Sequence, residues 1–339
     1  MMRVRRVTLL SLAALVVVAI GAVGFGVANI APLDVLAIIG KSLFGLPVGG
    51  ELSAGSTAIV MEIRLPRIVA AIAVGAALAT SGAAFQSLLR NPLADPYVLG
   101  TSSGAALGAA IAFLAPITGI AWELGGVQLA AFVGALASVA LVWRIAGIGS
   151  GEERIASVLL VGYAVASLLA AALSLVMLAS GANLRAIFGF LLGGLDGVTW
   201  PRLAAAALPI AIATLLLARR GRALAAFLLG DEAATHLGID VRRERRIAVA
   251  LATLATASAV ALAGLVGFVG LVVPHLARLA VGSDPRAVLP LSAIGGALLL
   301  LLADTVARTI GVPVGVITAL IGAPFLLWLL HRARAGYAL

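Results

Sequence analysis

The sequence has no cysteine, which excludes disulfides, thiolate metal sites and cysteine nucleophiles. Its three histidines, His236, His275 and His331, lie far apart along the chain and give no histidine-rich metal motif. Charge is also scarce. Only 11% of the residues are charged, against roughly 25% in soluble domains, so there is too little polar surface to cover a water-soluble globule. A complete phosphate-binding loop is lacking. "IIGKS" at 38–42 resembles the end of one, but Val35 stands where the pattern needs its first glycine. No period-2 alternation marks a membrane β-barrel. Intramembrane acids, which proton- or sodium-coupled carriers usually need, reduce to Asp304. Its spacing from Arg308 predicts an i to i+4 ion pair near a helix end. Energy for any transport must then come from elsewhere, which disfavours the rival reading, an ion- or proton-coupled secondary transporter.

What remains is hydrocarbon. The 339 residues are 63% hydrophobic, with a mean hydropathy of +1.19. Apolar runs of about 20 residues, each able to cross a ~30 Å hydrocarbon core, recur along the whole chain. The fold class is therefore an all-α polytopic membrane protein, a single transmembrane domain over 1–339. Ten candidate spans fall near 7–29, 66–89, 96–115, 127–146, 155–179, 201–218, 247–263, 265–281, 287–310 and 313–331. The N-terminal "MMRVRR" and the apolar run after it resemble a signal peptide, with "GVA" at 26–28 as a mimic of a cleavage site. A run of about 22 residues is too long for a typical signal core, so it is expected to stay as the first helix.

An even number of spans puts both termini on one side. With the N-terminus inside, the inner segments hold 17 of the 23 Lys and Arg, and the outer segments hold Lys41, Arg64, Arg67, Arg185, Arg202 and Arg308. Basic residues gather on the cytoplasmic side of membrane proteins, so both termini are expected there. The net charge of +9 then calls for no nucleic-acid partner. Small-residue ridges, Ala71/Gly75/Ala79 and Gly100/Gly104/Gly108, predict close helix packing.

Between the second and third spans, "RNPLADPYVLGTSSG" at 90–104 interrupts the hydrocarbon. Pro92 and Pro96 cannot continue a helix, and Asp95 followed by Pro96 reads as a helix start. The stretch is thus a stiff turn at the inner membrane edge. A longer polar inner segment, about 219–246, contains "GDEAATHLG", a short helix with Asp231 near its start, Gly238 as its stop, and Leu229, Ala233 and Leu237 on one face. That face must pack on something, either this chain's own inner surface or a partner. After the fifth span, "AIFGFLLG" is too short to cross the membrane and is interfacial or re-entrant. On the outer side, Arg64, Arg67 and Arg308 are either interfacial side chains or a docking surface.

The block "RLPRIVAAIAVGAALATSGAAFQSLLRNPLADPYVLGTSSGAALGA" resembles the signature of the BtuC/FecCD-type permeases, the membrane subunits of ATP-driven importers for cobalamin, haem and ferric siderophores. "LLGDEAATHLGI", "GLVGFVGLVVPHLARLAVGSDPRAVLP", "LLLADTVAR" and "PVGVITALIGAPFLLWLL" follow in order. The resemblance implies a type II ABC importer fold of ten spans, in a bacterial or archaeal cytoplasmic membrane. It implies a homodimer bearing two ATPase subunits inside and receiving one substrate-binding protein outside. ATP and Mg would be bound by those ATPase subunits, with no catalysis and no cofactor or metal on this chain. The turn at Asn91, Pro92 and Leu93 would form part of the cytoplasmic gate. The residues Leu229, Gly230, Asp231, Glu232, Ala233, His236, Leu237 and Gly238 would couple to the ATPase, and Arg64, Arg67 and Arg308 would dock acidic residues of the binding protein. A second gate element would lie in "GIGSGEERIAS" between spans four and five, its residues left open. His275 is expected to be structural, and a ferric siderophore is the first expectation for cargo, ahead of haem or cobalamin.

Overall fold

The computed structural model describes residues 2–26, 30–45, 53–115, 125–146 and 152–336, and all regular structure among them is helical. The helices are α1 (Met2–Gly24), α2 (Pro32–Phe44), α3 (Ala54–Leu88), α4 (Thr101–Leu114), α5 (Gly126–Ala146), α6 (Glu152–Ala179), α7 (Leu184–Leu192), α8 (Trp200–Arg219), α9 (Gly221–Leu228), α10 (Asp231–His236), α11 (Val241–Ala263), α12 (Val269–Val281), α13 (Pro285–Ile310) and α14 (Val314–Gly336). Eight of them are long and apolar enough to cross a membrane: α1, α3, α5, α6, α8, α11, α13 and α14. The possible cleavage site falls partly on residues 27–29, outside the described residues. The unexpected α2 holds residues 38–42 inside a helix, so no strand leads into "IIGKS".

Helix α3 is the spine. Of its most apolar stretch 78% is buried, against 11% for α1 and α6, and it packs along α13, α11, α8 and α12. The small-residue ridge explains how. A Cβ on Gly75 would stand 2.2 Å from the carbonyl oxygen of Gly296 on α13, so these two backbones touch where only hydrogen fits. Pairs of this kind replace the hydrophobic drive that lipid cannot supply between helices. At its outer end α3 contains a π-helical turn, Ile59–Arg64, which resets the helix register at Arg64 and three residues before Arg67.

The third and eighth spans depart from expectation. Helix α4 begins at Thr101, not at Pro96, with Gly100 as its N-cap at φ +76°. The Asp95–Pro96 pair starts a turn instead of a helix: the Asp95 Oδ1 accepts from the Tyr97 amide two residues on, at 2.8 Å. Helix α12 has 13 residues and follows an unwound stretch at 264–268 that ends at Phe268, φ +68°. At ~1.5 Å per residue, neither helix alone spans a bilayer. The two unwound stretches meet each other. Tyr97 Oη donates to the Val266 carbonyl at 2.9 Å and accepts from the Val266 amide at 3.3 Å. Non-helical backbone is tolerated at membrane depth only where protein covers it, and here each break covers the other.

Helix α7 is the short apolar piece, nine residues long. Its Phe190 carbonyl accepts from the Leu265 amide at 3.2 Å, and the Gly194 amide donates to the Ala263 carbonyl at 2.8 Å. The segment is thus fastened to the same 264–268 break.

Candidate functional site

The inner turn is tied at each end by side chains. Leu89 closes α3, and Arg90 then adopts φ +47°, one of two non-glycine residues with positive φ among those described. The tip is braced internally. Asn91 Oδ1 accepts from the Leu93 amide at 2.9 Å, and the Asn91 carbonyl from the Ala94 amide at 3.1 Å. Asn91 and Pro92 are exposed and Leu93 is half-buried. Beyond the tip, the buried Gln86 donates through Nε2 to the carbonyls of Ala94 and Gly270, both at 3.2 Å, and Arg278 Nη2 donates to its Oε1. Gln86 therefore locks the far side of the turn to α12. Sequence reasoning passed over it, although a long amide inside an apolar span had to find partners. Burial pushes the Asp95 carboxyl up to about 6, against the pull of the Tyr97 amide.

Arg90 joins the turn to the polar inner segment. Its Nε donates to the Phe227 carbonyl at 2.8 Å and its Nη2 to Asp231 Oδ1 at 2.7 Å. Arg245 on α11 reaches the same carboxylate, 2.8 Å to Oδ1 and 2.9 Å to Oδ2, with its guanidinium carbon 5.6 Å from the Phe227 ring centroid. Asp231 thus faces inward, toward the chain, rather than outward.

The short helix α10 exists with Gly238 as its stop at φ +79°. Its packing differs from the expected face: Ala234 is fully buried against the chain, Ala233 is half-buried, and Leu229 and Leu237 are 68% and 63% exposed. Gly230 at φ +108° precedes the helix, and Glu232 and His236 are exposed beside the two leucines. The chain's own surface takes only the alanine. Just beyond α12, Asp284 caps α13 through the Arg286 amide at 2.9 Å, and the Arg286 side chain holds its carboxyl below the usual range.

On the outer side, the expected pairing is replaced. Asp304, fully buried on α13, pairs with Arg67 of α3, whose Nε donates to Oδ1 at 2.9 Å and Oδ2 at 3.0 Å. The near contact of α3 with α13 brings Arg67 closer than the helical neighbour Arg308, which instead donates to the Ala22 carbonyl and to Thr305. Arg67 also pairs with Asp196, an exposed residue of the loop between α7 and α8. Arg64, 5% exposed, donates to the carbonyls of Val23 and Gly24 at 2.6 and 3.2 Å. All three arginines line one open cavity of about 590 Å³ with Asp196, Ile63 and Pro313. They are brought together, but each already has partners within the chain.

His275 lies on α12, its ring edge-to-face with Phe325 of α14 at 5.7 Å. No group of three or more His, Asp or Glu able to hold a metal ion occurs among the described residues. Of the second gate segment, residues 147–151 fall outside the described residues.

The model of the FecCD transport family matches residues 12–332. The chain is 44% identical over 290 residues to the cobalamin import system permease protein BtuC of Halobacterium salinarum, covering 85% of this chain and 76% of that protein. It is 39% identical over 285 residues to the hemin transport system permease protein HmuU of Yersinia pestis, covering 81% and 84%. A solved structure described as an inward-facing conformation of a metal-chelate type ABC transporter superposes with a TM-score of 0.83 at 27% identity, covering 97% of this chain and 99% of that one.

Proposed function

This chain belongs to the FecCD transport family, a multi-pass permease of the ATP-binding-cassette importers, and from that premise we propose how it works. Two copies would form the path, with the exposed leucines of α6 and α14 available to the partner copy or to lipid. Two ATPase subunits would bind the cytoplasmic side, supplying the ATP and Mg chemistry that this chain does not perform. A soluble or lipid-anchored binding protein would deliver cargo to the outer face bearing Arg64, Arg67 and Arg308. The membrane is the cytoplasmic membrane of a prokaryote.

One observation carries the ATPase side of this reading: α10 keeps Ala234 for its own chain and offers Leu229 and Leu237 to the cytoplasm. Two leucines held out from a rigid two-turn platform cost exposure unless something covers them. We assign that cover to an ATPase subunit docked on Leu229–Gly238, with Asn91, Pro92 and Leu93 as part of the inner gate. A secondary carrier is disfavoured because Asp304, the one acid of zero exposure among the described residues, is already paired with Arg67.

The cargo class is a bulky metal chelate. Relatives are named for cobalamin and hemin, and a ferric siderophore stands beside them as a candidate. Uptake of each of the three into vesicles carrying the reconstituted importer tests the class; uptake of none would sink it. For the ATPase side, Leu237→Asp places a charge in the docked face, at a cost of several kcal/mol where that face is buried. The ATPase subunits should then fail to co-purify while the permease stays folded. Normal co-purification with wild-type uptake would overturn the assignment.

A further inference from the structure

The gate turn and the short cytoplasmic helix are not merely near each other; they share a carboxylate. Arg90, the residue immediately before the turn's tip, bonds Asp231, the first residue of α10, and also the Phe227 carbonyl at the end of α9. Arg245 holds the other side of Asp231 and stacks over Phe227, closing a ring of contacts among the turn, α9, α10 and α11. The three charged side chains are 27%, 18% and 12% exposed, so solvent screens the pairs only in part.

The backbone at Arg90 supplies a second, independent observation. At φ +47° an arginine is in a region that costs energy for any residue with a Cβ. Glycine or asparagine would sit there with less strain. A strained arginine persists where its surroundings hold it, and the contacts to Asp231 and Phe227 are among those holding this one.

The opposite end of the turn is anchored elsewhere. Gln86 fixes Ala94 to Gly270 of α12, while the tip between the two ends is stiffened by Pro92 and by the Asn91 bonds. The Arg90 end runs on directly from α3, where the Gln86 carbonyl accepts from the Asn91 amide at 3.2 Å, so Arg90 is the point at which the surface helix α10 reaches the end of α3 and the start of the turn.

We propose that the Arg90–Asp231–Arg245 cluster is the linkage that delivers displacement of α10 to the turn at Asn91–Leu93, with Arg90 as a positioning residue of the transport cycle. This rests on the reading that α10 receives an ATPase subunit. A shift at Arg90 is passed to the residues that follow it, Asn91 to Leu93, before the chain reaches Ala94, which Gln86 holds.

The absence of cysteine from this chain leaves an introduced cysteine as the permease's single maleimide target. In the complex with its ATPase subunits, a Leu93→Cys protein is labelled by a water-soluble maleimide with and without ATP and Mg. With Arg90 intact, the labelling rate should change at least tenfold on adding ATP. Arg90→Gly keeps the backbone conformation but deletes the link; the change should fall below twofold while the ATPase subunits stay bound. Arg90→Lys, which retains a cation for Asp231, should recover at least half of the change. A full change in Arg90→Gly, loss of the ATPase subunits from it, or no recovery with Arg90→Lys would each overturn the linkage. Should the Leu93→Cys protein with Arg90 intact bind its ATPase subunits but show no ATP-dependent change, the gate reading itself fails, and the linkage with it.

Discussion

Each face of the protein carries an arginine–aspartate network, and the two are built on opposite supports. The outer one joins α3 to α13, the two helices whose glycines touch backbone to backbone, and its central carboxylate, Asp304, is wholly buried. The inner one joins a turn to a two-turn surface helix, and each of its charges keeps some contact with water. The same chemistry therefore serves different ends. A network between two tightly packed helices holds shape, whereas one between a turn and a surface helix can pass movement along.

The comparison breaks most visibly if the outer network proves dispensable. Asp304→Ala leaves Arg67 buried without its main counter-charge. Removing one partner of a buried pair costs about 3–5 kcal/mol, so the variant should express poorly and melt well below wild type in detergent. Arg90→Ala, by contrast, removes a partly exposed pair of the kind worth about 1 kcal/mol or less and should melt near wild type. Equal losses in the two variants would erase the distinction.

The second way to test it is at the tip of the inner turn. Leu93→Ala removes bulk, and Pro92→Gly with Leu93→Gly removes bulk and adds backbone freedom. Passive efflux of a small dye from vesicles holding the full complex without ATP should rise severalfold for the single variant and at least tenfold for the double one. A double variant as tight as wild type would reduce the turn to a connector.

Much of this was legible in the sequence, for identifiable reasons. Spans follow from hydrophobic length, and the stop of α10 follows from Gly238, whose φ of +79° suits glycine. The ridge at Ala71, Gly75 and Ala79 announced a close helix contact, though not that α13 would make it. Pairings across the fold were not legible. Asp304 looked committed to Arg308 because helical spacing is visible in a sequence, while the approach of α3 that delivers Arg67 is not. Asp95–Pro96 carried the residues of a helix start, but Pro96 packs against Gly270 and the chain stays unwound to Gly100. The ring of Arg90, Asp231 and Arg245 spans 155 positions, from 90 to 245, with no local pattern to join it.

A pH test sharpens the inner side. The Asp95 carboxyl titrates at about 6 in the folded chain and near 3.9 when free. A raised carboxyl favours the native state in its protonated form; that contribution is complete below about pH 4 and is lost as pH rises through 6. Moving from pH 7 to pH 5 should therefore stabilise the protein by about 1 kcal/mol, read as a higher Tm. Asp95→Asn should flatten this response. A response that persists unchanged in Asp95→Asn would assign it to another group.

The smallest expected effect is on the outer face, where charge reversal is a poor probe. Arg67→Glu would set a third carboxylate beside Asp196 and Asp304, so it tests folding as much as docking. Asp196 offers a cleaner route. Its side chain is 74% exposed, it belongs to a loop rather than a span, and it occupies one edge of Arg67 while Asp304 holds the other. A carboxylate arriving from a binding protein would have to displace it. Exposed pairs are worth about 0.2–1 kcal/mol, so Asp196→Asn should tighten the binding protein's Kd by up to about fivefold and leave Tm within a degree or two of wild type. Weaker binding in Asp196→Asn would mean that Asp196 aims Arg67 rather than competing for it. The outer network would then take part in docking as an oriented unit, and its contrast with the movable inner linkage would lie only in stiffness.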